Sequence, residues 1–204
     1  MEKITLAMFI AFTTLTTSFA PQSKTPPLNQ AAVKAVTASR LTVGQDGRSR
    51  NVNYLVNEVR HELVMLPYYN VFDWLEGEVR PDGTVVLRGQ VVRPTTKSDA
   101  ENRVKRVEGV ERVVNEIQVL PLSPNDDRIR RQVYRTLFNW DSPLFRYATQ
   151  SVPPIHIIVQ NGRVTLKGVV ANKGDSNYAN IKTNGVSGVF QVSNELRVEE
   201  AGKD

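Results

Sequence analysis

Cysteine is absent from the 204 residues of this sequence, and histidine occurs only twice. Without cysteine the chain has no disulfide framework, thiolate zinc site, thiol nucleophile or lipid-modified N-terminal cysteine. His61 and His156 each lack a second histidine at a metal-ligand spacing, and the sequence has no glycine-rich phosphate loop and no Gly-x-Ser-x-Gly motif. We therefore predict a protein that is not an enzyme and that uses no metal and no cofactor.

The N-terminal segment has the order of a secretory signal peptide. Lys3 precedes an apolar run over residues 4–12, and small residues follow at Ser18 and Ala20. The apolar run is too short to span a bilayer. Cleavage after Ala20 would place Pro21 first in the mature chain, which signal peptidases resist, so the pattern predicts export but not a cleavage site. A core helix at the N-terminus is the alternative.

The second half of the chain repeats the first at an offset of 79 residues. Asp82-Gly83 aligns with Asn161-Gly162, and Gly109-Val110 aligns with Gly188-Val189. Thirteen of the 37 positions from 83 to 119 are identical in the second copy. Chance identity on the order of one position in fifteen would give roughly two or three. Such agreement without a gap indicates an internal duplication.

Each copy contains the pattern of a hairpin followed by a third strand. Asp-Gly and Asn-Gly favour positive φ in tight hairpin turns, and apolar residues alternate with polar ones around Leu87 and Leu166. A second alternating run, over residues 113–119 and 192–198, predicts the third strand. Glycines recur at equivalent positions in both copies, and we expect each pair to adopt the same backbone conformation. They are Gly83, Gly89, Gly109, Gly162, Gly168 and Gly188.

Two helices are predicted in each copy. The opening helix has apolar residues at helical spacing, and its two versions match at an offset of 74, so about five extra residues lie between Leu137 and Ile155. Ser98 and Glu101 have the spacing of a capping box at the start of the next helix in the first copy. Its counterpart, Asp175 to Asn184, is rich in asparagine and is a weaker helix former.

The element order is therefore α-β-β-α-β in both copies. Because each sheet buries only one face, both helices should cover that face. We predict an α+β protein of two tandem αββαβ two-layer sandwiches, each with two helices on one face of a three-stranded mixed sheet. The predicted segments are a signal peptide (1–20), a flexible linker (21–50), a first domain (51–122) and a second domain (124–200).

This order, the x-G-x-V-x-L-x-G-x-V strand and the G-V-x-x-V-x-N-x-[IL]-x-V ending resemble the BON domain family (bacterial osmotic-shock protein and nodulation). The resemblance covers both repeats. It implies non-catalytic attachment to envelope components, mainly anionic phospholipid, with the first helix of the second repeat as the contact. The layout is similar to that of tandem dual-BON periplasmic proteins, which implies a soluble periplasmic or secreted protein with a role in osmotic or envelope stress.

The opening helix of the second copy carries residues suited to that contact. The net charge of +5 comes mainly from residues 21–50 and the second half, which permits an anionic partner. Arginines at i, i+3 and i+7 can meet phosphates, while amphipathic aromatics in the inserted segment can enter the headgroup layer. The candidate lipid-binding residues are Arg128, Arg131, Arg135, Trp140, Phe145, Arg146 and Tyr147.

Structural alternatives remain for these residues. The arginines could form a solvated helix face paired with Asp126, Asp127 or the C-terminal Glu199 and Glu200. Trp140 and Phe145 could complete a small core. In the first copy, aromatic residues are expected to pack inside, and Glu76 and Glu78 are expected to form a solvated strand edge. The aromatic residues are Tyr68, Tyr69, Phe72 and Trp74.

A second functional hypothesis is a protein-interaction or chaperone-like module that holds another envelope protein. Its contact would be an edge strand or the open sheet face with Arg88, Gln90 and Lys167. Nucleic-acid binding is disfavoured, because an exported protein seldom meets nucleic acid and the basic residues lack interleaved stacking positions.

Overall fold

The computed structural model describes residues 52–150 and 153–199. The predicted signal peptide and linker lie outside these residues. The described chain forms two αββαβ modules, each with its helices on one face of a mixed sheet. This arrangement confirms the α+β fold expected from the repeat.

The first module encloses its core between one sheet face and two helices. Strand β1 is antiparallel to β2, and β3 and β4 continue one another in parallel beside β2. The apolar stripe of α1, Leu55, Val59 and Leu63, is buried against Leu75 and Leu87 of the sheet. The elements are α1 (52–64), β1 (Trp74–Val79), β2 (Thr84–Val91), α2 (Pro94–Val104), β3 (Arg112–Asn115) and β4 (Gln118–Val119).

The second module repeats this plan and adds one short helix. Strand β5 is antiparallel to β6, and β7 is parallel to β6. Ile129, Val133 and Leu137 of its opening helix are fully buried, as the offset of 74 predicted. The elements are α3 (Pro124–Leu137), α4 (Phe145–Ala148), β5 (Ile155–Gln160), β6 (Arg163–Val170), α5 (Lys173–Asn184) and β7 (Gln191–Val198).

A glycine in the middle strand of each sheet allows a close approach between backbones. Gly89 has a φ of 127°, and a Cβ atom there would lie 1.9 Å from the Trp74 carbonyl oxygen. Gly168 has a φ of 122°, and its Cβ would lie 1.9 Å from the Pro154 carbonyl oxygen. Only glycine fits both the conformation and the space. Positive φ is found at all six recurrent glycines, Gly83, Gly89, Gly109, Gly162, Gly168 and Gly188.

The capping box predicted for α2 is wrong. The helix begins at Pro94, so Ser98 lies in its interior and donates a hydrogen bond to the Thr95 carbonyl oxygen at 3.0 Å. Glu101 pairs with Lys105 and accepts a hydrogen bond from Asn115. Proline has the φ of a first helical residue and needs no backbone hydrogen bond there, which explains the earlier start.

An asparagine ties the third strand of each module to its second helix. Asn115 donates from Nδ2 to the Lys97 carbonyl oxygen at 3.1 Å, and its Oδ1 accepts from the Ile117 amide at 3.2 Å. Asn194 donates to the Ser176 carbonyl oxygen at 3.1 Å, and its Oδ1 accepts from the Leu196 amide. The predicted third strand is continuous in the second module but is divided into β3 and β4 in the first.

The two modules are in direct contact. The Ile157 amide of β5 donates to the Val71 carbonyl oxygen of the first module at 2.8 Å. The His156 ring lies 5.5 Å from the Tyr69 ring and 5.1 Å from the Trp74 ring, measured between centroids. Burial between these aromatics lowers the pKa of His156 to about 4. The second module's first strand is therefore in contact with residues 69–71, which precede β1, and with Trp74, the first residue of β1.

Candidate functional site

Helix α3 presents one apolar face to the core and one basic face to solvent. The Ser123 hydroxyl caps the helix by accepting the Asp126 amide at 3.2 Å, and Pro124 occupies its first turn. The Asp126 carboxylate reaches the hairpin turn, where it accepts the Asn161 and Gly162 amides at 2.9 Å each. The helix is thus fixed to the sheet at its N-terminus.

The three predicted arginines are exposed on this helix. Arg128 donates to the Asn125 side chain at 2.8 Å. Within residues 52–150 and 153–199, Arg131 and Arg135 form no ion pair with a carboxylate. Two free guanidinium groups, one helical turn apart, therefore face solvent.

Two of the acids expected to pair with these arginines, Asp126 and Asp127, have other partners. Glu199 forms no ion pair with them, and Glu200 lies outside the described residues. The Asp126 carboxylate binds the hairpin turn, and Asp127 pairs with Arg130. Arg130 is buried and also donates to the Val159 carbonyl oxygen at 2.6 Å. The buried arginine, which is not one of the predicted three, is therefore the one with a structural role.

Arg131 and Arg135 form one side of an open groove of about 440 Å³ at the module junction. Residues 69–72 of the first module form the opposite side. At its base the Phe72 ring meets the Tyr134 ring edge-to-face, with 6.1 Å between centroids. This contribution of the first module could not be predicted from the sequence, because no local pattern signals a contact between residues so far apart in the chain.

Trp140 is the most exposed of the predicted aromatic residues. Its side chain is 82% exposed, and its ring lies 5.0 Å from that of the half-buried Phe145. The alternative that Trp140 completes a core is therefore wrong. A large indole ring is left at the surface close to the C-terminal end of α3.

Tyr147 is buried, which corrects its prediction as a surface contact. Its hydroxyl donates to the Asp175 carboxylate at 2.6 Å and accepts the Ala171 amide at 2.8 Å. Arg146 binds the same carboxylate. Because Asp175 belongs to the first turn of α5, these two residues attach the inserted helix α4 to α5. Their arrangement indicates a structural role.

The family model of the BON domain matches residues 75–121 and 125–200. The chain belongs to the BON domain family. The BON domain is a non-catalytic binding module, and the family is known for envelope- and membrane-associated roles. The first match begins after α1, whereas the second includes α3.

Two solved structures resemble the BON modules at low identity. Both are of CdsD, a structural protein of the type III secretion system of Chlamydia trachomatis, and one is its C-terminal domain. The C-terminal domain is 12% identical, with 72% of this chain and 98% of that chain covered and a TM-score of 0.27. The other is 12% identical, with 72% and 93% covered and a TM-score of 0.28. No curated protein matches the chain.

In each module, the sheet face away from the helices carries ion pairs. Arg88 bridges Glu78 at 2.7 Å and Glu116 at 2.8 Å, and its hydrogen bond lowers the pKa of Glu78. Lys167 pairs with Glu195 at 3.1 Å and lies over the Trp74 ring. The expectation that Glu78 is solvated is wrong, because its side chain is only 8% exposed. Much of the charge on this face is already neutralised.

Tyr68 lies at the surface of the first module, although it was expected to pack inside. It is 51% exposed, with the Arg93 guanidinium 4.9 Å above its ring. No group of three metal-ligating side chains occurs in the described parts of the chain. None of the helices there has the length and apolar character needed to cross a membrane.

Proposed function

We propose that this BON protein attaches to anionic phospholipid surfaces through α3 of its second module. The observation that carries the proposal is the pair of exposed guanidinium groups on α3, Arg131 and Arg135, which lack a carboxylate partner in the described structure. Unpaired basic residues gain most from a negatively charged surface, because no internal ion pair must first be broken.

The surroundings of the two arginines suit a phospholipid headgroup. The junction groove beside them has room for a phosphate and is partly aromatic at Phe72 and Tyr134. Trp140 exposes an amphipathic ring of the kind that sits at the level of the headgroups. Charge would supply attraction from a distance, and the indole would anchor the bound protein.

Sedimentation with vesicles tests the proposal. Full-length protein should sediment with phosphatidylglycerol vesicles at low salt and should dissociate as salt is raised. Arg131→Glu combined with Arg135→Glu should weaken binding at least about tenfold, since each basic residue near an anionic surface contributes about 1 kcal/mol.

A matched control makes the same charge change elsewhere. Arg106 and Arg112 are exposed residues of the first module, and Arg106→Glu with Arg112→Glu should leave binding nearly unchanged. The proposal fails if the wild-type protein does not bind anionic vesicles at low salt, or if the control pair weakens binding as much as the α3 pair.

The site of action that we propose is the periplasmic side of the envelope, with a role under osmotic or envelope stress. The signal-peptide pattern in residues 1–20 and the known roles of the family support this location. N-terminal sequencing of protein recovered from a periplasmic fraction should show that the leader has been removed. Recovery of the intact leader in the cytoplasmic fraction would contradict export.

A further inference from the structure

Each module has a groove between its two long helices, α1 and α2 in the first module and α3 and α5 in the second. The volume is about 450 Å³ in the first module and about 530 Å³ in the second. The repeat offsets place the residues around the two grooves at equivalent positions, so the first groove is an internal reference for the second. Differences between them show where the two copies have diverged.

The second groove lacks the carboxylates of the first. Glu58, Glu62 and Glu108 line the first groove. Their equivalents in the second groove are neutral. They are Gln132, Thr136 and Ser187.

A basic residue occurs in both grooves, but only the first groove has its acidic partner. In the first groove Arg103 pairs with Glu62 at 3.1 Å. Its equivalent, Lys182, lies 5.4 Å from the Tyr178 ring and has no ion pair in the parts of the chain that are described. Arg135 borders the same groove. The charged side chains around the second groove are therefore all positive.

An apolar residue stands at the rim of this basic groove. Ile181 is 69% exposed, where the first module has Asn102. The groove thus combines two cations and an exposed aliphatic side chain.

We infer that this groove docks an acidic amphipathic segment of a partner protein. Carboxylates of the segment would meet Lys182 and Arg135, and an apolar side chain would cover Ile181. The groove is bounded by two helices, with Arg135 on α3 and with Lys182 and Ile181 on α5. Cations on both helices beside an exposed aliphatic side chain suit the helix-in-groove mode, in which an amphipathic peptide lays its apolar face into the groove.

The test uses full-length ¹⁵N-labelled protein and a synthetic peptide of about three helical turns. The peptide carries glutamate on one face and leucine on the other, and a second peptide has lysine in place of glutamate. The glutamate peptide should shift amide resonances of residues 132–136 and 181–187. The lysine peptide should not shift them.

Variants on α5 locate the site. Lys182→Glu and Ile181→Ser should each weaken the glutamate peptide about tenfold. Arg106→Glu, in the first groove, makes the same charge change as Lys182→Glu and should leave the affinity unchanged. The inference is overturned if the peptide causes no shifts, if the shifts fall in the first groove, or if the lysine peptide binds equally well.

Vesicles separate this inference from the proposed membrane function. Lys182→Glu should leave sedimentation with phosphatidylglycerol vesicles nearly unchanged. If it reduces vesicle binding as much as the Arg131 and Arg135 reversals do, the groove belongs to the membrane-binding surface and the inference is overturned. Failure of the wild-type protein to bind vesicles would leave peptide docking intact.

Discussion

His156 reports on the packing between the two modules and can be tested by changing pH. Its ring is 4% exposed and lies between Tyr69 and Trp74, both from the first module. Burial lowers its pKa from 6.5 to about 4, and the nearby backbone of Asp73 and Asn70 only partly opposes that effect. The folded protein therefore keeps this imidazole neutral at a pH where the unfolded chain protonates it.

The size and sign of the effect follow from these pKa values. As pH falls below 6.5 the unfolded chain binds a proton that the folded protein does not bind, so the folded state loses stability until about pH 4. Between pH 7 and pH 5 the loss should be about 2 kcal/mol, given a pKa of about 4 in the folded protein.

Urea unfolding at pH 7, 6 and 5 measures this loss, with Trp74 as the buried fluorescent reporter. His156→Gln is neutral throughout and should lack this contribution. Carboxylates, including Asp73, whose pKa burial raises, titrate in both proteins and largely cancel in the difference. Wild type and variant with parallel stability curves between pH 7 and 5 would refute the reasoning.

Two further predictions concern side chains that join elements within a module. Asn194→Ala should lower the free energy of unfolding by about 2 kcal/mol, because it removes hydrogen bonds to Ser176 and to the Leu196 amide. Asn115→Ala should have a similar effect in the first module. A loss below about 0.5 kcal/mol in urea unfolding would contradict this role. Tyr147→Phe should cost about 1–2 kcal/mol by leaving the Ala171 amide without its acceptor. Vesicle binding by the Tyr147→Phe variant should equal that of the wild type. A tenfold loss of vesicle binding would show that Tyr147 contributes to the binding surface.

Periodicity and repetition were sufficient to predict the fold. Apolar spacing in α1 and α3 reflects a local geometric rule, and the structure buries the predicted stripes. Glycines such as Gly89 and Gly168 could be recognised because the same backbone demand occurs twice in one chain. The capping box failed for a local reason, since Pro94 initiates the helix before Ser98 can cap it.

The candidate site was only partly predictable. The spacing of Arg131 and Arg135 placed them together on α3, but whether they form ion pairs depends on which groups the nearby carboxylates bind. Asp126 binds the amides of the hairpin turn, and Asp127 pairs with Arg130. The burial of Tyr147 likewise follows from Asp175, which is distant in sequence.

The duplication in this protein, its αββαβ order and its exposed basic helix were determined by the sequence alone, because strand and helix patterns extend over neighbouring residues. The contact of residues 69–72 with β5 and α3, and therefore the junction groove and the burial of His156, was decided only by the tertiary structure. Such contacts depend on how two folded surfaces fit, and no local periodicity records that fit.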